Sequence, residues 1–233
     1  MAITRPELPG GPADRRPMHF FWLLDGSTSM TGAKIQALNF AVGEAIPGMR
    51  RAADSAPEVR LMVQVLRFAS GIDWIVPDPT PIAELQWRDI AAGGDTAMGR
   101  ALNAVVDEFD KIDTSRKYFA PVIILVTDGK NTDGKLFDDA LQRLMTHPVG
   151  RRSTRFGIAI GADADIDNLK TFIGNDEIPV FESSNADTLA EHIKFVSTTA
   201  IKIASQPNTG AVAKEMADAP TASGGGKSQI AQW

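Results

Sequence analysis

The run Val122-Ile123-Ile124-Leu125-Val126-Thr127, closed by Asp128, most constrains the fold of this chain. Six consecutive apolar or β-branched residues suit a strand buried on both faces. Such strands belong to parallel sheets covered by helices. The run His19-Phe20-Phe21-Trp22-Leu23-Leu24, closed by Asp25, has the same character and predicts a central strand over about 19–25. Residues 58–69 instead alternate, with Val59, Leu61, Val63 and Val65 against Arg60, Met62 and Gln64. Ser70-Gly71 then turns the chain into Ile72–Val76, which predicts a hairpin with an antiparallel edge strand. The prolines from Pro77 to Pro81 are expected to end that edge.

Helical spacing separates the strands. Ile35, Leu38, Val42, Ile46 and Met49 follow Thr31-Gly32, with Pro47 expected to kink or shorten the helix. Met98, Leu102, Val105, Val106 and Phe109 mark a helix from about Thr96. Further helices are predicted near 134–146, from about 165 and over 186–204, with strands near 154–161 and 178–182. This alternation predicts an α/β fold with a mainly parallel sheet. Pro6, Pro9, Gly10, Gly11, Pro12 and Pro17 make residues 1–17 a flexible arm. The domain occupies 18–204, and the small, polar, Gly-rich segment 205–233 reads as a disordered tail.

Composition removes several functions. A net charge of -5 argues against a general nucleic-acid binder, and Arg151, Arg152 and Arg155 read as a solvated turn. The absence of cysteine excludes thiol nucleophiles, thiolate metal sites and disulfides. With no signal-peptide pattern and no apolar stretch near the roughly 20 residues that span a bilayer, a soluble cytoplasmic protein without membrane contact is the expectation.

The chemistry gathers at strand ends. Asp25-Gly26-Ser27-Thr28-Ser29 presents a carboxylate and two hydroxyls at alternate positions. Gly93-Gly94-Asp95-Thr96 precedes a helix, and Thr127-Asp128-Gly129 follows the second apolar strand. In open α/β sheets ligands lie beyond the carboxyl ends of strands, so Asp25 and Asp128 converge if their strands are neighbours. Two carboxylates with hydroxyls from Ser27, Ser29 and Thr96 make a hard-oxygen set that suits magnesium, with manganese or calcium as alternatives. Such a balanced site retains attraction for one more anionic oxygen, a Glu or Asp of another protein. Taken singly, each residue also reads as an ordinary turn or helix cap.

These five residues resemble the pattern of the von Willebrand factor type A domains and their metal-ion-dependent adhesion site: Asp-x-Ser-x-Ser, a distant Thr in a Gly-rich loop, and a later Asp. The resemblance covers about residues 18–204. It implies a doubly wound, six-stranded sheet with one antiparallel edge strand and helices on both faces. It also implies a metal-dependent protein-interaction module that is not an enzyme. Gly93–Leu102 and Ile124–Gly129 are most similar to the bacterial TerY-type branch, linked to tellurite resistance and stress. That implies a protein kinase or a serine/threonine phosphatase as partner. Thr28 stands where the pattern commonly has Gly and is expected to crowd the ion. Asp95 is an additional acid, expected to face solvent.

Other signals carry less. Asp163, Asp165 and Asp167 imitate a calcium loop, but Asn168 and Gly174 occupy positions that need Gly and Glu, so a helix cap is expected. Gly224-Gly225-Gly226-Lys227-Ser228 imitates a phosphate loop without a preceding strand. The rival function is a metal-dependent hydrolase or phosphatase acting on small phosphates. Against it, none of His19, His147 and His192 is expected beside Ser27 or Ser29. A third possibility is a structural scaffold. Met30, Met98 and Asn131 are candidate rim contacts for a protein ligand.

Overall fold

The structure, a computed structural model, describes residues 15–129, 131–162, 164–205, 216, 219 and 220. Most of the arm and of the tail, the phosphate-loop imitation and Asp163 lie outside the described residues. Six strands form one sheet: β1 (Arg16–Asp25), β2 (Val59–Phe68), β3 (Ile72–Pro81), β4 (Val122–Thr127), β5 (Thr154–Ile160) and β6 (Phe181–Ser183). Their spatial order is β3-β2-β1-β4-β5-β6, parallel throughout except where β3 pairs antiparallel with β2. Both central runs behave as their composition requires. Every residue of β4 is buried, as is β1 from Phe20 to Asp25.

Five helices cover the two faces. α1 (Ala33–Asp54) packs with α5 (Ala186–Ser205), and α2 (Met98–Phe109) packs with α3 (Gly134–Thr146). α4 (Ile166–Ile173) lies against β5. Strand order reverses between β1 and β4, with β2 continuing one way and β5 the other. The crevice at that reversal is where this class of sheet places ligands.

Three expectations need correction. α1 runs its full 22 residues with Pro47 inside it and facing solvent, so the proline does not shorten it. Leu38, Ala41, Val42, Ala45, Ile46 and Met49 form a buried stripe on both sides of it, and this packing outweighs one missing amide bond. β3 continues through the prolines to Pro81. An edge strand does not need its outward amides, and the ladder absorbs the irregularity by shifting register around Val65. Gln64 Nε2 also donates to the Pro77 carbonyl at 2.7 Å. Finally, β1 begins at Arg16, whose amide bonds the Glu58 carbonyl at 2.9 Å. Pro17 is tolerated as an opening strand residue.

Candidate metal centre

In the register of β1 against β4, Leu24 lies beside Val126, so Asp25 and Thr127 end their strands side by side. The Thr127 hydroxyl donates to Asp25 Oδ2 at 2.5 Å, and the Ser27 amide donates to Asp25 Oδ1 at 2.8 Å. The Asp25 side chain is thereby fixed at both oxygens. The Ser27 and Ser29 hydroxyls are 2.9 Å apart. Asp25 and Asp128 are each 0% exposed, Ser27 1% and Thr96 4%, while Ser29 opens to solvent. Burial pushes the Asp25 carboxyl above its ordinary range. The bonds from Thr127 and Ser27 oppose that shift, and the nearby Asp128 carboxylate adds to it.

Thr96 precedes α2 and does not cap it. The first amides of that helix, Gly99 and Arg100, donate instead to Asp133 Oδ1 and Oδ2 at 3.0 and 3.2 Å. The Thr96 hydroxyl makes no hydrogen bond among the described residues, although its backbone is held on both sides. Its amide donates to the Thr132 hydroxyl at 3.1 Å, and its carbonyl accepts from the Thr132 amide and hydroxyl at 2.9 and 3.0 Å. The loop after β4 therefore fixes the loop before α2. Asp25, Ser27, Ser29 and Asp128 come together at the ends of β1 and β4, and Thr96 sits on the loop tied to both.

This donor set fits a hard divalent cation. Two buried carboxylates side by side are unfavourable without positive charge. The Lys34 ammonium supplies one charge, 3.6 Å from Asp128 Oδ2. Among the described residues no three His, Cys, Asp or Glu side chains gather as a metal cluster, so the carboxylates alone do not fill a coordination shell and the neighbouring hydroxyls are available to add to it.

Of the two flanking residues, Thr28 acts otherwise than expected and Asp95 faces solvent as expected. Thr28 does not crowd the centre. Its hydroxyl donates to the Gly94 carbonyl and accepts from the Gly94 amide, both at 2.9 Å, so it laces the first loop to the glycine loop. Asp95 is exposed and bonds Ser70. Met30 and Met98 are core residues at 0% and 1% exposure, which leaves Asn131 as the half-buried rim candidate. Asp165 caps α4 as expected, its Oδ1 accepting from the Asn168 amide at 3.2 Å.

Sequence reasoning missed Thr127, Thr132, Asp133 and Lys34. The available signal for Lys34 was its place in the first turn of a helix, where the dipole disfavours a cation unless an anion compensates. For Thr127 it was a hydroxyl at the end of the strand that carries Asp128.

The family model described as von Willebrand factor type A domain matches residues 21–195. The chain belongs to the von Willebrand factor type A family. Domains of this family generally mediate metal-dependent protein interactions. No curated protein sequence matches the chain.

Solved structures share the fold at low identity. A von Willebrand factor type A protein from Catenulispora acidiphila is 19% identical with a TM-score of 0.61, covering 80% of this chain and 43% of its own. An ArnB paralog, VWA2 from Sulfolobus acidocaldarius, is 16% identical with a TM-score of 0.55, covering 76% and 44%. Proximal thread matrix protein 1 from the mussel byssus, in a structure described as having a zinc-occupied MIDAS motif, is 16% identical. Its TM-score is 0.59, with coverage of 82% and 47%. This vWA chain thus spans less than half the length of each. No helix among its described residues is long and apolar enough to cross a membrane.

Proposed function

We propose that this vWA chain captures a protein partner through a divalent metal held by Asp25, Ser27, Ser29, Thr96 and Asp128. The observation that carries this reading is a pair of fully buried carboxylates at the switch point, joined by hydroxyls that no helix cap consumes. The metal supplies a Lewis-acidic position that accepts a Glu or Asp oxygen from the partner. The chain's own task is to hold its donors fixed beforehand, and the bonds to both oxygens of Asp25 support that role.

Magnesium is the preferred ion, because all five donors are hard oxygens; manganese and calcium share that preference, whereas zinc favours nitrogen and sulfur. The mussel byssus structure makes zinc the comparison to include. The similarity to the TerY-type branch extends the proposal to a bacterial stress setting, with a protein kinase or a serine/threonine phosphatase supplying the carboxylate. Placement in the cytoplasm belongs to the same reading.

A hydrolase is disfavoured by the distribution of bases. His19 lies near the opposite end of β1, His147 bonds Asp110, and His192 is buried against Ser183. None of the three stands beside Ser27 or Ser29 to activate a nucleophile.

The test combines magnesium titration by calorimetry with capture from bacterial lysate. Wild type should bind one magnesium and retain a partner that EDTA releases and magnesium restores. Thr96→Ala should weaken both. Capture that ignores EDTA and Thr96→Ala overturns the proposal, as does phosphate-ester turnover with magnesium alone.

A further inference from the structure

A second concentration of charge lies at the other pole of the sheet. β1 runs ten residues from Arg16 to Asp25, so at about 3.3 Å per residue its ends are roughly 30 Å apart. At the amino end, a cavity of about 690 Å³ is lined by Arg15, Arg16, Arg60, Arg116 and Lys117, with Asp113 as the one carboxylate among the described residues. The chain as a whole is acidic at -5, so five cations around one hollow is not its average composition reappearing.

The single carboxylate is already engaged. Asp113 Oδ1 accepts from the Ser115 amide at 3.1 Å and the Ser115 hydroxyl at 2.5 Å, and Oδ2 lies 3.3 Å from Arg116 Nε. Arg16 is positioned against an aromatic ring, its guanidinium carbon 4.0 Å from the centre of the Phe119 ring. The Phe119 amide donates to the Pro17 carbonyl at 3.0 Å, which ties the loop after α2 to β1 and makes this wall part of the fold. Arg15, Arg60 and Lys117 make no ion pair among the described residues. Pro17, the half-buried His19 ring and the apolar Met62 side chain also line it.

We propose that this cavity binds a small anion carrying two or more phosphate groups. Three unpaired cations call for several negative charges in one compact ligand, and a single carboxylate offers only one. Arginine forks match phosphate oxygens two at a time, and four of the five cations are arginines. The volume falls within the roughly 300–1,000 Å³ of small-molecule sites and is too small for a folded partner. The site is independent of the metal centre, since the two occupy opposite ends of the sheet.

The test is calorimetric titration of the full chain with inorganic triphosphate, in metal-free buffer at about 150 mM salt, where diffuse surface attraction is screened. Wild type should bind at one saturable site. Arg60→Glu and Lys117→Glu should each weaken binding by about tenfold or more with unchanged circular dichroism, while Lys135→Glu at the opposite pole should leave it unaltered. ATP binding more tightly than triphosphate identifies a nucleotide as the ligand; equal affinity identifies the inorganic chain. Absence of saturable binding overturns the assignment. So does retention of affinity in both reversals, or equal weakening by Lys135→Glu. Because no metal is present, neither result depends on the interaction proposed for the other pole.

Discussion

Lys34 Nζ stands 3.6 Å from Asp128 Oδ2, with the lysine side chain 12% exposed and the carboxylate fully buried. An ammonium in the first turn of a helix meets the positive end of the helix dipole, and the Asp128 carboxylate offsets that cost. A divalent ion bound at Asp128 has Lys34 as a like-charged neighbour. Lys34→Met should therefore tighten magnesium binding by about tenfold, equivalent to about 1.4 kcal/mol. That is well below the roughly 4 kcal/mol between unit charges at 4 Å in a partly screened site. The metal-free variant should melt lower than wild type, because Asp128 loses a cation. Calorimetric affinity that is unchanged or weaker shows that Lys34 does not oppose the metal.

Thr127 is the residue on which Asp25 depends. Its hydroxyl donates to the buried carboxylate and accepts from the Gly129 amide at 2.9 Å. Thr127→Val keeps the shape and removes both bonds, leaving buried polar groups unsatisfied at about 1–3 kcal/mol. Urea denaturation of the metal-free chain should show that loss. Thr127→Ser, which retains the hydroxyl, should recover most of it. Equal midpoints for the two variants would mean that the hydroxyl contributes nothing to holding Asp25.

The parallel core was legible because Val122–Thr127 and the run ending at Asp25 are apolar on both faces, a pattern that few alternatives produce. Asp25 and Asp128 were legible as candidates because both follow such runs, and neighbouring strands with a reversal of order bring their ends together. Pro47 and the prolines of β3 misled for one reason. Local rules count a lost amide bond, whereas tertiary burial and an edge position decide its cost. Thr28 misled differently. Whether a side chain at that position faces the centre or the neighbouring loop depends on Gly94, 66 positions away in the chain. Asp133 was invisible in the same way, since it caps a helix that begins 35 residues earlier and no local pattern records that pairing.

Arg67 holds three segments with one guanidinium. Nε donates to the Ala91 carbonyl at 2.7 Å and Nη1 to Asp73 at 2.6 Å, while Nη2 reaches the Gly26 and Gly93 carbonyls at 3.0 and 3.2 Å. A lysine keeps the charge but cannot span these directions. Arg67→Lys should lower stability by about 1–3 kcal/mol and speed amide exchange across residues 91–94, the loop leading to Thr96. Exchange confined to the wild-type rate in that loop would show that the Thr28–Gly94 bonds suffice to hold it.

Two imidazoles, the buried His192 and the half-buried His19, give the chain a specific response to acid. Burial holds His192 and His19 below the ordinary histidine value of about 6.5, outweighing Glu191 and Glu108, which favour the charged rings; the Pro220 carbonyl also favours the charged form of His192. Above about 6.5 native and unfolded chains carry both rings neutral, and this contribution to stability is fully present. As pH falls below that value the unfolded chain takes up protons that the native chain resists. Stability therefore drops until the depressed native pKa is reached. Asp25, raised by burial, works in the opposite direction, so the decisive measurement is a difference between variants. His192→Gln should lose less melting temperature than wild type between about pH 7 and pH 5.5. His192 bonds Ser183 at 2.9 Å and lies 3.3 Å from the Pro220 carbonyl, so the variant should melt somewhat lower at pH 7. Parallel curves for the two proteins would place the acid sensitivity elsewhere, with His19 the next residue to change.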